Sequence, residues 1–126
     1  MGYESNLVLC KRKTSRSKAV EQLAWAELGK ITYDYWNMPN GKRLTDLFRT
    51  PLGSTLVIDG ITCKEDPYGD AFKTASCEDV IRYLRKFLEL NEDADFCVGY
   101  ALEHLEFWLN KNKKISDRLV FVHVGT

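Results

Sequence analysis

The chain has 126 residues, 44% of them hydrophobic and 29% charged, with eighteen basic residues balanced by eighteen acidic ones. That length fits a single domain, 1–126, able to bury a core without disulfide or metal staples. The balanced charge gives no overall pull towards nucleic acid or a membrane surface, and no apolar run approaches the ~18 residues of a membrane span.

Ser5-Asn6-Leu7-Val8-Leu9-Cys10 is β-prone and predicts a first strand. Lys11 to Lys18 follows, with the basic residues Lys11, Arg12, Lys13, Arg16 and Lys18 among Ser and Thr, and reads as a solvated loop. It is no signal peptide, because no apolar core follows the basic cluster.

Ser17 to Tyr35 carries two periodicities. Val20, Leu23, Ala24, Leu28 and Ile31 fit a helical stripe, whereas Trp25, Ile31, Tyr33 and Tyr35 against Lys30, Thr32 and Asp34 fit a strand. The segment divides into a helical turn from Lys18 and a strand over roughly 27–36. Met38-Pro39-Asn40-Gly41 breaks the chain, and 42–49 predicts a short helix ending before Pro51.

Leu56 to Cys63 holds Asp59-Gly60 between two β-prone runs, which predicts an antiparallel hairpin with a type I′ turn. Lys64 to Asp70 is a polar loop. Ser76 is an N-cap for a helix with Val80, Ile81, Leu84, Phe87 and Leu88 as its buried stripe, and Asp79 completes a capping box. Asn91 to Asp95 turns into a second helix, with Val98, Ala101, Leu102, Leu105 and Leu109 inward and Lys111, Lys113 and Lys114 suiting its C-terminal dipole. Leu119 to Val124 is the last strand. With strands at both ends, the chain has no tail to spare.

These elements predict an α+β fold: an antiparallel or mixed sheet of about five strands with a helical pair on one face. The last strand inserts beside the first.

No Gly-rich phosphate loop, Gly-x-Ser-x-Gly elbow or His-Glu-x-x-His pair is present, so the residues favour a binding protein over an enzyme, with no cofactor. Cys10, Cys63, Cys77 and Cys97 form no Cys-x-x-Cys pair, which argues against zinc and for thiols in a reducing cytoplasm. Trp25, Tyr33, Tyr35, Trp36 and Met38 concentrate aromatic and Met side chains of the kind that mark protein interfaces. The strand reading divides Tyr33 and Tyr35 from Trp36, so one helical layer cannot bury them all.

Two polar alternatives stand beside that surface. Lys11, Arg12, Lys13, Arg16 and Lys18 could contact phosphates of a nucleotide or nucleic acid, although no nucleic-acid-binding signature accompanies them. His123, with Asp66 and Asp70, could supply acid–base chemistry for a small hydrolase. The alternation places His123 with Phe121 and Leu119, on or near an open sheet face. Glu65, Asp66 and Asp70 match no calcium loop and read as a polar turn. His104 and Cys97 lie two helical turns apart, roughly 10 Å, too far for a nucleophile pair.

The opening Met1-Gly2-Tyr3-Glu4-Ser5, the Asp59-Gly60 hairpin, Tyr68-Gly69-Asp70 and the closing His123-Val124-Gly125 resemble a group of small phage and prophage proteins of Gram-positive bacteria. The segment 11–35 departs from that pattern. The resemblance implies a setting, a phage-encoded accessory protein in the host cytoplasm; with the missing catalytic motifs, the balanced charge and the aromatic cluster, that setting leads to the expectation of a binding protein that engages a host factor or defence system through a protein partner. The resemblance itself implies no chemistry.

Overall fold

The computed structural model describes residues 3–126; Met1 and Gly2 of the opening motif lie outside them. Five strands form one antiparallel sheet in the order β2-β1-β7-β6-β3. They are β1 (Ser5–Arg12), β2 (Val20–Gly29), β3 (Thr50–Pro51), β6 (Lys73–Ala75) and β7 (Leu119–Gly125). A hairpin of β4 (Leu56–Ile58) and β5 (Ile61–Cys63) forms a second small sheet. Two helices, α1 (Cys77–Leu90) and α2 (Tyr100–Lys111), complete an α+β architecture.

The last strand lies beside the first, with register from Ser5↔Gly125 to Lys11↔Leu119. β1 is buried almost end to end because both its faces are covered. Leu7 and Leu9 point with Phe121 and Leu119 into the core under the helices, against Val80, Leu84, Phe87 and Leu105. Val8 and Cys10 point with Val122 and Val124 into a second core, closed by Leu52, Leu56 and Phe72. The face opposite the helices is therefore roofed by the β4–β5 hairpin, where the sequence predicts an open one. Two polar side chains are buried within β1. Ser5 faces His123, and Asn6 Nδ2 donates to the Val124 carbonyl and to Thr126 Oγ1, both at 3.0 Å.

The local signals hold where they are self-contained. Asp59 and Gly60 both have positive φ, 52° and 78°, as the type I′ turn needs. Ser76 Oγ accepts the Asp79 amide N–H at 3.2 Å and caps α1, while the Asp79 carboxylate takes Arg82 at 3.4 Å instead of completing the expected capping box.

Three expectations are corrected. The segment predicted as a helical turn from Lys18 and a strand over 27–36 is one strand over Val20–Gly29, followed by turns. Its Glu, Gln, Leu and Ala residues prefer helix in isolation, but pairing with buried β1 from Arg12↔Val20 to Ser5↔Gly29 decides the outcome. Gly29, at φ 65°, ends the strand. Lys11 and Arg12 belong to β1 rather than to the loop. The predicted helix over 42–49 shrinks to a 3₁₀ turn at Leu44–Leu47.

A π-turn at Asp95–Gly99 leads into α2. Among the described residues no helix is long and apolar enough to cross a membrane.

Candidate functional site

The residues singled out by sequence fall into three separate places. The first is a cleft of about 410 Å³ at one end of the sheet, lined by Tyr3, Thr45, Phe48, Asp66, Asp70, Lys73 and His123 among others. It brings together His123 from β7 with Asp66 and Asp70 from the loop before β6. His123 is on the helix-covered side of the sheet, not the opposite face: its ring lies 5.6 Å from Phe48, a member of the core under the helices.

Two of the three predicted groups in this cleft, His123 and Asp66, are committed to structure, whereas Asp70 is exposed. His123 Nε2 and Ser5 Oγ share a hydrogen bond at 2.9 Å, but Ser5 is 0% exposed and cannot meet a substrate. Asp66 is buried, and its Oδ1 accepts the amides of Tyr68 and Asp70 at 2.9 and 3.0 Å while Oδ2 accepts the Gly125 amide at 3.3 Å. The carboxylate thus ties its own loop to the end of β7. Burial pushes His123 down to about 4, outweighing the opposing pull of Asp66 and Asp70, so the ring is neutral near pH 7 and a feeble base. Burial, assisted by Asp66 and Asp70, pushes the Tyr3 hydroxyl up to about 12. Among the described residues no group of three His, Cys, Asp or Glu side chains is arranged to hold a metal ion.

The second place is the basic hairpin loop between β1 and β2. Arg12 donates to the carbonyls of Ser17 and Lys18 at 2.7 and 3.2 Å, and Lys11 pairs with Glu21 at 3.0 Å. Those two cations are spent holding the hairpin. Lys13, Arg16 and Lys18 stay exposed.

The third place is the aromatic segment after β2. Trp25 leaves it, because it sits on β2 and packs against the core under the β4–β5 hairpin. Tyr33, Tyr35 and Trp36 remain together on turns rather than on a strand. Their ring centroids step from Tyr33 to Tyr35 at 5.8 Å, from Tyr35 to Trp36 at 5.1 Å, and from Trp36 to buried Phe87 at 5.6 Å. Met38 is half-buried beside them in sequence. Tyr35 is the outermost ring, 66% exposed.

This loop is braced at three points. Asp34 pairs with Arg43 at 2.8 Å, Trp36 Nε1 donates to the Lys30 carbonyl at 3.1 Å, and Asn37 is bonded to Asn91 at the end of α1. The Asn91 contacts tie the loop under the exposed ring to the end of α1, an arrangement that limits the entropy lost when a partner orders it.

A further aromatic group escapes the sequence reading. Phe96, Tyr100 and Phe107 are 72%, 71% and 61% exposed. Their spacing, four and seven residues apart, sets them on one helical face opposite the buried Val98, Ala101, Leu102 and Leu105. That spacing is visible in the sequence but is masked there by the stronger inward stripe.

Comparison with protein-family models, curated proteins and solved structures finds no match.

Proposed function

We propose that this is a non-enzymatic protein-binding module, acting as a phage accessory protein on a factor or defence component of a bacterial host, with the aromatic loop 30–38 as its contact surface. One observation carries the reading: Tyr35 is 66% exposed at the tip of an aromatic ladder whose base, Phe87, is fully buried. Exposed aromatic rings on a fixed support are typical anchors of protein interfaces. The alternative hydrolase at His123, Asp66 and Asp70 is disfavoured by the amide-bound Asp66 and the weak basicity of His123, which leave Asp70 as its one exposed carboxylate. The nucleic-acid alternative loses Lys11 and Arg12 to internal contacts.

Tagged protein is used to capture a partner from host lysate, and the captured protein is then titrated against wild type, Tyr35→Ala and the Tyr35→Ala/Trp36→Ala double variant. The reading expects at least a tenfold loss of affinity for Tyr35→Ala and loss of capture by the folded double variant. Undiminished binding by both variants removes this loop as the contact surface.

A further inference from the structure

We infer that the outer face of the Asp95–Lys111 helical segment is a second docking surface, and that its partner is a cationic amphipathic segment of another protein. The inference does not depend on loop 30–38 and concerns a different set of side chains.

Three observations carry it. Phe96, Tyr100 and Phe107 expose most of their rings along one helical face. Rings of this size together present on the order of 400 Å² of largely apolar surface, a patch size that on a monomer is often functional. Phe96 is also carried on the π-turn Asp95–Gly99, directly before Tyr100 at the start of α2, an irregularity that occurs often at functional sites.

Charge identifies the occupant. The chain as a whole is neutral, yet this part of it carries Glu92, Asp93, Asp95, Glu103 and Glu106 ahead of its first cation, Lys111, which closes α2 and lies 5.0 Å over the Trp108 ring. Glu92, Asp93, Asp95 and Glu103 are exposed, and the ion pairs among the described residues do not engage them; Glu106 pairs with Arg85 at 3.2 Å. An apolar stripe with an acidic margin repels nucleic acid and anionic lipid surfaces. It also opposes a symmetric pairing of two copies of itself, because the acidic margins would meet. A helix or extended segment with Leu-like anchors and Lys or Arg beside them satisfies both features, as amphipathic targets do in helix-binding surfaces.

The test uses the whole protein and a labelled synthetic peptide of Leu and Lys at amphipathic helical spacing, with a matching Leu/Glu peptide. The Leu/Lys peptide is expected to bind saturably, more weakly as salt rises, and the Leu/Glu peptide not to bind. Phe96→Ala/Tyr100→Ala and Asp93→Lys/Glu103→Lys, each folded by circular dichroism, are each expected to lose at least tenfold in affinity, while Tyr35→Ala binds as wild type. Absence of binding by the Leu/Lys peptide, equal binding of the two peptides, or full affinity in both double variants overturns the inference. Sedimentation showing a wild-type dimer that Phe96→Ala/Tyr100→Ala dissociates overturns it in favour of a second copy of this chain.

Discussion

Asn91 satisfies both backbone groups of Asn37: its Oδ1 accepts the Asn37 amide N–H at 2.7 Å, and its Nδ2 donates to the Asn37 carbonyl at 2.7 Å. The same Nδ2 reaches the Phe87 carbonyl one turn back in α1 at 2.9 Å. One buried amide therefore closes the end of α1 and clamps the aromatic loop to it. Gln22 does the same for Val57, joining the edge of β4 to β2 at 2.6 and 3.0 Å.

Replacing Asn91 with Ala removes the partners of the part-buried Asn37 amide and carbonyl and of the buried Phe87 carbonyl together. The expected cost is about 2–3 kcal/mol in urea unfolding, with increased hydrogen exchange confined to residues 30–38. A loss below about 0.5 kcal/mol would show that the clasp does not hold the loop.

Tyr35 and Trp36 separate surface from support. Tyr35→Ala is expected to leave stability within about 0.5 kcal/mol, because an exposed ring contributes little to folding. Trp36→Ala uncovers Phe87 and breaks the bond to the Lys30 carbonyl, so a cost of about 1–3 kcal/mol is expected. Equal Tm values for the two variants would contradict the ladder. The difference also gives the Tyr35 single variant the cleaner reading in any binding assay.

The parts of this fold legible in sequence are those decided within about ten residues. The Asp59-Gly60 turn, the Ser76 cap and the two apolar terminal strands carry their own signals. β2 does not, since its composition favours helix and only the distant partner β1 makes it a strand. The second core was hidden for a related reason: Leu52, Leu56 and Phe72 meet Val8 and Val122 only after the chain folds back across the sheet. At the sites, residue types were readable but commitments were not. Asp66 looks like a free loop carboxylate until its three amide donors are seen.

The four cysteines are free and differ in environment. Burial pushes the Cys10 and Cys77 thiols up to about 12, so neither supplies thiolate near neutral pH. Cys10 is buried, whereas Cys63, Cys77 and Cys97 are all partly exposed. A thiol reagent at pH 8 is expected to modify Cys63 and Cys97 first, Cys77 more slowly and Cys10 not at all in the folded protein, and all four in denaturant, as read by mass spectrometry. Rapid native-state labelling of Cys10 would contradict the buried position of β1.

His123 makes stability depend on pH. Its folded-state value lies near 4, below the ordinary 6.5, because burial disfavours the charged ring. Between those values the unfolded chain takes up a proton that the fold refuses. The contribution is thus complete above pH 6.5, declines as pH falls towards 4 and changes no further below it. The shift corresponds to about 3 kcal/mol across that window. His123→Gln keeps a neutral hydrogen-bonding side chain opposite Ser5 but cannot take up a proton. Carboxylates also titrate in this range, so the difference between the two Tm–pH curves isolates the histidine. Wild type is expected to lose more stability than His123→Gln as pH falls from 6.5 to 4; parallel curves would mean that the ring is solvated enough to protonate within the fold.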